Sequence, residues 1–192
     1  MMSVQEHKER TARSYKLLLW FAMISMIMMF AGLTSAYVVS KSRADWMKDF
    51  QLPSVFMIST GVILLCSVTF HLAKLAIQKD QKQRTTFFLI ATLLLGIVFV
   101  FSQFNGFHQL FLNNLVPVGG AGSITISFLY MFVFVHLAHL AGGIISLIII
   151  IYNHFKQKYN STQYLGIELG AMYWHFLDLL WIYLVLFLYY FK

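Results

Sequence analysis

Five long apolar segments constrain the fold of this chain more than any other feature of its sequence. They cover residues 17–39, 54–77, 87–110, 124–152 and 167–191. Because an α-helix rises about 1.5 Å per residue, about 20 apolar residues cross the roughly 30 Å hydrocarbon core of a bilayer. The segments are continuously apolar, whereas the strands of an outer-membrane barrel alternate polar and apolar residues. The sequence therefore predicts an all-α integral membrane protein, a bundle of five transmembrane helices.

The stretches between these segments leave little room for a soluble domain. Of the 192 residues, 59% are hydrophobic and 11% are charged, against roughly 25% charged residues in soluble proteins. Both prolines, Pro53 and Pro117, fall in the short connections, as expected of helix breakers. We expect a single transmembrane domain over residues 1–192, in which the first segment is an uncleaved span rather than a signal peptide.

The distribution of basic residues predicts the orientation. The net charge is +7, but Lys and Arg flank the apolar segments and form no separate basic domain, so nucleic acid is not an expected partner. Ten of the 14 Lys and Arg residues fall on the side of the N-terminus, and four fall on the opposite side. By the positive-inside rule, this asymmetry predicts a cytoplasmic N-terminus and a C-terminus outside.

The last segment carries three ionisable side chains, Glu168, His175 and Asp178. Such residues at membrane depth cost about 2.5–3.5 kcal/mol on insertion scales, so each is a candidate functional residue. Their spacing places all three on one stripe of an α-helix. Counting from the start of the segment at about 1.5 Å per residue puts Glu168 at the cytoplasmic interface, His175 about 12 Å deep and Asp178 near the midplane.

The fourth segment adds two histidines and a row of small residues. His136 and His139 lie in the same half of the bilayer as His175, so a polar contact between the fourth and fifth helices is geometrically feasible. Small residues at four-residue spacing allow helices to approach closely. The candidates for such packing are Ala138, Gly142, Gly143 and Ser146 in the fourth helix and Gly32 in the first.

Several interpretations of these polar residues stay open on the sequence alone. We favour a hydrogen-bonded and ion-paired network that fixes helix packing. A haem site would need two histidines on facing helices, for which His71, His136, His139 and His175 are candidates; a membrane-anchored haem b protein would use His136 or His139 with His175. A non-haem metal would use His136 and His139 with a carboxylate. A small transporter built on Asp178 is a further alternative, although five spans do not divide into the two halves of many transporters.

The other polar residues within or beside the spans suggest packing or solvation. Gln103 and Asn105 are expected to form hydrogen bonds between helices, and Cys66, the single cysteine, is expected to fill space. His154 lies in a flanking polar stretch, where we expect it to be solvated or interfacial.

Residues 173–181, with the sequence YWHFLDLLW, resemble a known signature. Subunit III of haem-copper respiratory oxidases carries the motif YWHFxDxxW in its last helix, with an acidic residue before it where this chain has Glu168. The matching positions are Tyr173, Trp174, His175, Phe176, Asp178 and Trp181. Residues 136–143, HLAHLAGG, resemble that family's HxxHxxxG segment, and the first three segments are similar to its core helices. The resemblance covers residues 17–191 and matches the five-helix form of the family.

This chain departs from the family's pattern in its first core helix. Where many members have a buried Glu after a Ser, Met26 follows Ser25. In the second helix, Ser59 stands in place of an Asn. A role of the missing carboxylate in proton delivery or lipid contact therefore does not transfer to this chain.

The resemblance implies a subunit without catalytic residues, metal or redox centre of its own. It would belong to a proton-translocating cytochrome c oxidase or quinol oxidase, of which we favour the first, in a bacterial cytoplasmic (inner) membrane. Haem and copper would lie in partner subunits. The implied partners are oxidase subunits I and II and phospholipid, with subunit IV and a respiratory supercomplex as further candidates. The implied role of a polar cluster in this chain is to maintain structure, bind lipid or support proton uptake; its members are His136, His139, Glu168, His175 and Asp178.

Overall fold

The computed structural model of the chain describes residues 4–43, 46–47, 53–117 and 123–191. Five α-helices account for nearly all of this part of the chain. They are α1 (Val4–Ser40), α2 (Ser54–Gln78), α3 (Lys82–Leu112), α4 (Ile124–Phe155) and α5 (Leu165–Tyr190). Each is long and apolar enough to cross a membrane. The predicted all-α architecture with five membrane-spanning helices is confirmed at this level.

The helices extend beyond the apolar segments, most of all at α1. This helix begins at Val4, well before the apolar segment that starts at residue 17, and contains 37 residues. It is therefore about 55 Å long, which exceeds the thickness of a bilayer core. The residues ahead of the segment include Glu, Lys, Arg and Ala, which favour helix, so the helix extends beyond the apolar run. Hydropathy therefore identifies the part of a helix that can lie in lipid, and not the full length of the helix.

Contacts near the helix ends place α1, α3 and α5 with their N-terminal ends on one side of the bundle. The Lys16 ammonium lies 2.8 Å from the Glu168 carboxylate, and Lys82 Nζ donates to Gln157 Oε1 over 2.8 Å. We call this side, which holds Lys16, Lys82 and Glu168, the N-side. Most of the basic residues counted for the orientation lie there. Two others in that count, Lys48 and Lys192, lie outside the described residues.

Helix α5 is the centre of the bundle. It contacts α1, α2 and α4, while α1 otherwise contacts only α4, and α2 otherwise contacts only α3, among the described helices. More than half of the most apolar window of α5 is buried, whereas less than a third is buried in each of the other four helices. Helices α2 and α3 form the most closely packed pair. Between them the chain turns at Asp80, which has a φ of 55°, a conformation that Asp tolerates better than most residues.

Large aromatic side chains of α5 fill the core, and glycines on neighbouring helices make space for them. Trp174 is 1% exposed. A Cβ placed on Gly96 of α3 would lie 3.2 Å from the Trp174 ring, and one on Gly143 of α4 would lie 3.2 Å from Leu177 Cδ1. Gly143 therefore allows α4 to approach α5 closely, and Gly96 leaves room on α3 for the Trp174 ring.

The other small residues proposed for packing are placed differently. Gly32 needs a correction, because a Cβ there would meet nothing within 4 Å among the described residues. Gly142 and Ala138 are exposed, and a Cβ on Gly142 would approach only the Tyr173 hydroxyl, at 3.8 Å. The Ser146 hydroxyl donates to the Gly143 carbonyl within its own helix. The row at four-residue spacing, Ala138, Gly142 and Ser146, is thus not the one that packs tightly against α5; the adjacent Gly143 is.

Replacing Gly143 tests this packing. Gly143→Leu should destabilise the chain by about 1–3 kcal/mol, the usual cost of inserting atoms into a filled core. Reversible unfolding in mixed detergent micelles measures the change. Gly32→Leu is the matched control and should leave the midpoint unchanged, because the position is open. Equal effects of the two substitutions would contradict this description of the α4–α5 contact.

Candidate functional site

Four deeply buried polar side chains, one each from α3 and α4 and two from α5, lack hydrogen-bond partners among the described residues. The unpaired atoms are both carboxylate oxygens of Asp178, both ring nitrogens of His136, both amide atoms of Gln103 and the indole nitrogen of Trp174. Asp178 is 2% exposed, His136 and Gln103 are 0% exposed, and Trp174 is 1% exposed. Polar groups are costly to bury without partners. Such residues in a native protein call for a reason beyond packing, so they are the first candidates for a functional site.

Trp181 brings residues from several helices together beside His136. Its indole Nε1 donates to Thr60 Oγ1 of α2 over 3.1 Å. Its ring lies 5.1 Å from the His136 ring of α4 and 5.1 Å from the Phe99 ring of α3, measured between centroids. His136 is thus enclosed between aromatic rings, and one tryptophan connects α5 to three other helices.

Asp178 points into the α2 side of the core. It lies close to Cys66 and Ser67, but neither carboxylate oxygen makes a hydrogen bond with a described residue. The Ser67 hydroxyl is bonded instead to His175 Nδ1, at 2.6 Å. The Cys66 thiol donates to the Thr92 carbonyl of α3 over 3.3 Å, so the cysteine connects α2 to α3 besides filling space.

His175 also faces α2, and not α4. In addition to its hydrogen bond with Ser67, its ring lies 6.1 Å from the ring of His71 between centroids. Together with Val68 and Leu72, these three residues line an open groove of about 310 Å³ between α2 and α5. The expected approach of His175 to the histidines of α4 is therefore not present.

His139 lies at the junction of α1, α4 and α5. Its Nδ1 is 2.7 Å from the Val135 carbonyl one turn earlier, and its ring lies 6.0 Å from that of Phe30 in α1. The Tyr173 hydroxyl donates to the His139 backbone carbonyl over 3.0 Å. A polar contact between α4 and α5 does form, but a tyrosine supplies it rather than a second histidine.

Glu168 lies apart from the other polar residues, at the N-side. Its ion pair with Lys16 joins the start of α5 to α1, and the two side chains are 24% and 37% exposed. Exposed ion pairs contribute about 0–1 kcal/mol. The five residues of the predicted polar cluster thus occupy four separate surroundings, and no single network joins them.

The arrangement of the histidines determines which cofactors the chain could hold. The His136 ring faces Trp181, the His139 ring faces Phe30 and the His175 ring faces His71. The structure therefore does not place His136 or His139 opposite His175, as a haem held between two of these histidines would require. Within the described part of the chain, no group of three or more His, Cys, Asp or Glu side chains could hold a metal ion.

His154 is the buried residue that the sequence reasoning misjudged. It is 3% exposed, and its Nε2 lies 2.9 Å from Thr86 Oγ1 and 3.3 Å from the Lys82 carbonyl of α3. The expectation that it is solvated is wrong, whereas its place one residue before the end of α4 agrees with an interfacial position. The signal was available, because His154 continues the buried positions Leu147 and Ile150 of α4 at helical spacing.

The connection between α4 and α5 contains a partly buried tyrosine. Burial raises the pKa of Tyr159, and a hydrogen bond with Asn153 offsets part of that increase. The Tyr159 hydroxyl occupies the space that a side chain at Gly166 would need. Because the ring holds the loop against the start of α5, it contributes to positioning that helix.

A sequence profile described as cytochrome c oxidase subunit III matches residues 3–192, nearly the whole chain. The chain belongs to the cytochrome c oxidase subunit III family. One similar relative is the cytochrome bo(3) ubiquinol oxidase subunit 3 of Buchnera aphidicola subsp. Schizaphis graminum, 30% identical over 94% of this chain and 96% of the relative. Another is cytochrome c oxidase subunit 3 of Spodoptera frugiperda, 32% identical over 73% of this chain and 89% of the relative.

The relatives include oxidases of both electron-donor types. A probable quinol oxidase subunit 3 of Staphylococcus haemolyticus is 29% identical over 88% of this chain and 85% of the relative. The signature residues of this subunit III chain lie on α5 and contact its neighbours. Tyr173 bonds to α4, Trp174 fills the space at Gly96, His175 bonds to α2, and Trp181 bonds to α2 and packs on α4. Phe176 is half-buried against the core.

A double-mutant cycle on Trp181 and Thr60 tests whether the signature stabilises the bundle. Trp181→Phe and Thr60→Val should each destabilise the chain, and they should show a coupling energy of about 0.6–1 kcal/mol, since each removes the same hydrogen bond. Unfolding of the three variants in micelles measures the coupling. Strictly additive effects would show that the bond does not contribute to stability.

Proposed function

We propose that this chain is the non-catalytic subunit III of a haem-copper terminal oxidase. Its role is to stabilise the catalytic subunit and to sustain proton uptake during turnover, with phospholipid bound to it. The observation that most supports this proposal is that the signature residues make contacts between helices. Tyr173, Trp174, His175 and Trp181 each contact another helix of this chain, so the most characteristic part of the sequence holds the subunit's shape.

Haem and copper belong to partner subunits in this proposal. The rings of His136, His139 and His175 face different neighbours, so the pairing of His136 or His139 with His175 across a haem has no geometry in its favour. A transporter built on Asp178 is also less well supported, because the carboxylate is enclosed on the α2 side of the core rather than opening into a passage. A supporting subunit accounts for both observations.

The proposed orientation has the N-terminus in the cytoplasm of a bacterium and the C-terminus outside the inner membrane. The contacts of Lys16 and Lys82 put the basic ends of α1 and α3 on the same side as the start of α5. Clustered Lys and Arg beside membrane spans stay on the cytoplasmic side. The partners proposed are oxidase subunits I and II, with subunit IV and a supercomplex as further ones. Relatives of both donor types match the chain, and the supporting role is common to cytochrome c and quinol oxidases.

Asp178→Asn tests the proposed role. The substitution keeps the shape of a side chain that is 2% exposed but removes its capacity to carry a charge or release a proton at the centre of the core. The haem content of the purified oxidase should stay within about 10% of wild type. The number of turnovers before inactivation should fall about threefold or more, equivalent to about 0.7 kcal/mol.

The matched control for this variant is Asp80→Asn, in the exposed turn between α2 and α3. Asn tolerates the positive φ of 55° found there, so the control should behave as wild type. The measurement is oxygen consumption followed to inactivation, together with a haem spectrum of the same sample. Wild-type assembly and an unchanged turnover lifetime in Asp178→Asn would contradict the proposed role.

A further inference from the structure

The face of the bundle between α1 and α2 is open. These two helices do not contact each other, although both contact α5. The floor of the face is the strip of α5 between them, where Leu179 is 67% exposed and Leu186 is 50% exposed. The most deeply buried helix of the bundle therefore has one uncovered side, bordered by a helix on each edge. We call this surface the α1–α5–α2 face.

Polar residues line the α2 edge of this face. Ser67, His71 and Lys74 follow one another along α2 at spacings of four and three residues, so they share one side of the helix. His71 is exposed and Lys74 is half-buried. His175 of α5 lies beside them, bonded to Ser67 and 6.1 Å from His71, and within electrostatic range of Lys74. Together with the groove that they line, these four residues form a cluster rich in hydrogen-bond donors.

His71 lies within the hydrocarbon layer, whereas Lys74, four residues before the end of α2, is about 6 Å from that end and lies near the border of the layer. Helix α2 contains 25 residues and is therefore about 37 Å long, so it exceeds the core by only about 4 Å at each end. His71 lies seven residues before the last residue of α2, about 10 Å from that end. It is below the depth of phosphate head groups, where acyl chains offer no acceptor. Polar side chains at such depth almost always face protein or a water-filled cavity.

Among the described residues, no carboxylate of α2 or α5 is paired with His71, Lys74 or His175. Helix α2 contains neither Asp nor Glu. In α5, Glu168 is paired with Lys16, and Asp178, although close to Ser67, is buried and makes no hydrogen bond with a described residue. The chain belongs to a family of oxidase subunits, so other membrane-spanning chains are its natural neighbours. An acceptor that complements the histidines at this depth, within reach of the Lys74 side chain, would come from such a chain.

We propose that the α1–α5–α2 face docks a transmembrane helix of an oxidase partner subunit, which places an Asp or Glu side chain against His71, Lys74 and His175. This inference rests on the proposed function. The partner helix packs on Leu179 and Leu186, and its carboxylate accepts hydrogen bonds from the α2 edge. Close charge pairs buried in an interface are coupled strongly enough to define one partner and one register.

Photo-crosslinking in the assembled oxidase tests where the partner docks. Leu179→Cys and Leu72→Cys would each be labelled with a benzophenone maleimide in native membranes; the native Cys66 is fully buried. Phe134→Cys on α4, where Phe134 is 70% exposed, is the control on another side of the bundle. The expected result is adducts to a partner subunit at Leu179 and Leu72, at least about fivefold above the control, a ratio of about 1 kcal/mol in preference. Adducts to phospholipid alone, or equal yields at all three sites, would overturn the proposal.

A substitution tests the chemistry of the contact. His71→Leu should lower the fraction of partner subunit that copurifies in mild detergent by about tenfold, while His108→Leu, at an exposed position of α3, should not. Unfolding of the isolated chain in micelles should be unaffected by His71→Leu, which separates loss of docking from loss of folding. Equal copurification of the two variants would contradict the proposal. If wild-type chain does not copurify with haem-containing subunits at all, the proposed function fails; if it does but crosslinks elsewhere, only the docking face is wrong.

Discussion

The packing of α5 against three other helices is the constraint on which the rest of this structure depends. In lipid, helices gain little from hydrophobic burial, so close contact and interhelical hydrogen bonds must hold a bundle together. Helix α5 supplies both, because Trp174 enters the space left by Gly96, and Trp181 bonds to Thr60 while it packs on His136. Among the described helices, α5 is also the only one that contacts both α1 and α2.

Much of the fold could be predicted from the sequence, because a membrane span needs a length of apolar chain and little else. The partners of the polar residues could not be predicted in the same way. The spacing of Glu168, His175 and Asp178 places them on one side of α5. It does not show which helix lies opposite each of them. In the bundle, Glu168 meets α1 whereas His175 meets α2. His154 was misjudged for a different reason, since polar flanks were weighed more than the apolar periodicity that buries it.

Under the proposed function, a subunit that carries no redox centre still has buried ionisable residues, and their surroundings give a physical reason. Asp178, His136 and Gln103 are unpaired within the described part of the chain, and their burial is costly. Such residues are retained when they fix one arrangement of helices or respond to a neighbouring chain. Both uses suit a support subunit, whose shape must match a partner throughout many turnovers. That partner would bind at the α1–α5–α2 face, beside the donor-rich edge formed by α2.

The most direct test of the central claim is purification of the tagged chain from its native membrane, with the copurifying subunits identified and the haem quantified per chain. The proposed function predicts a stoichiometric haem-copper oxidase in the eluate, and no haem in the same chain expressed alone. A stoichiometric haem absorption band in the isolated chain, with no oxidase subunits bound in the native membrane, would contradict it.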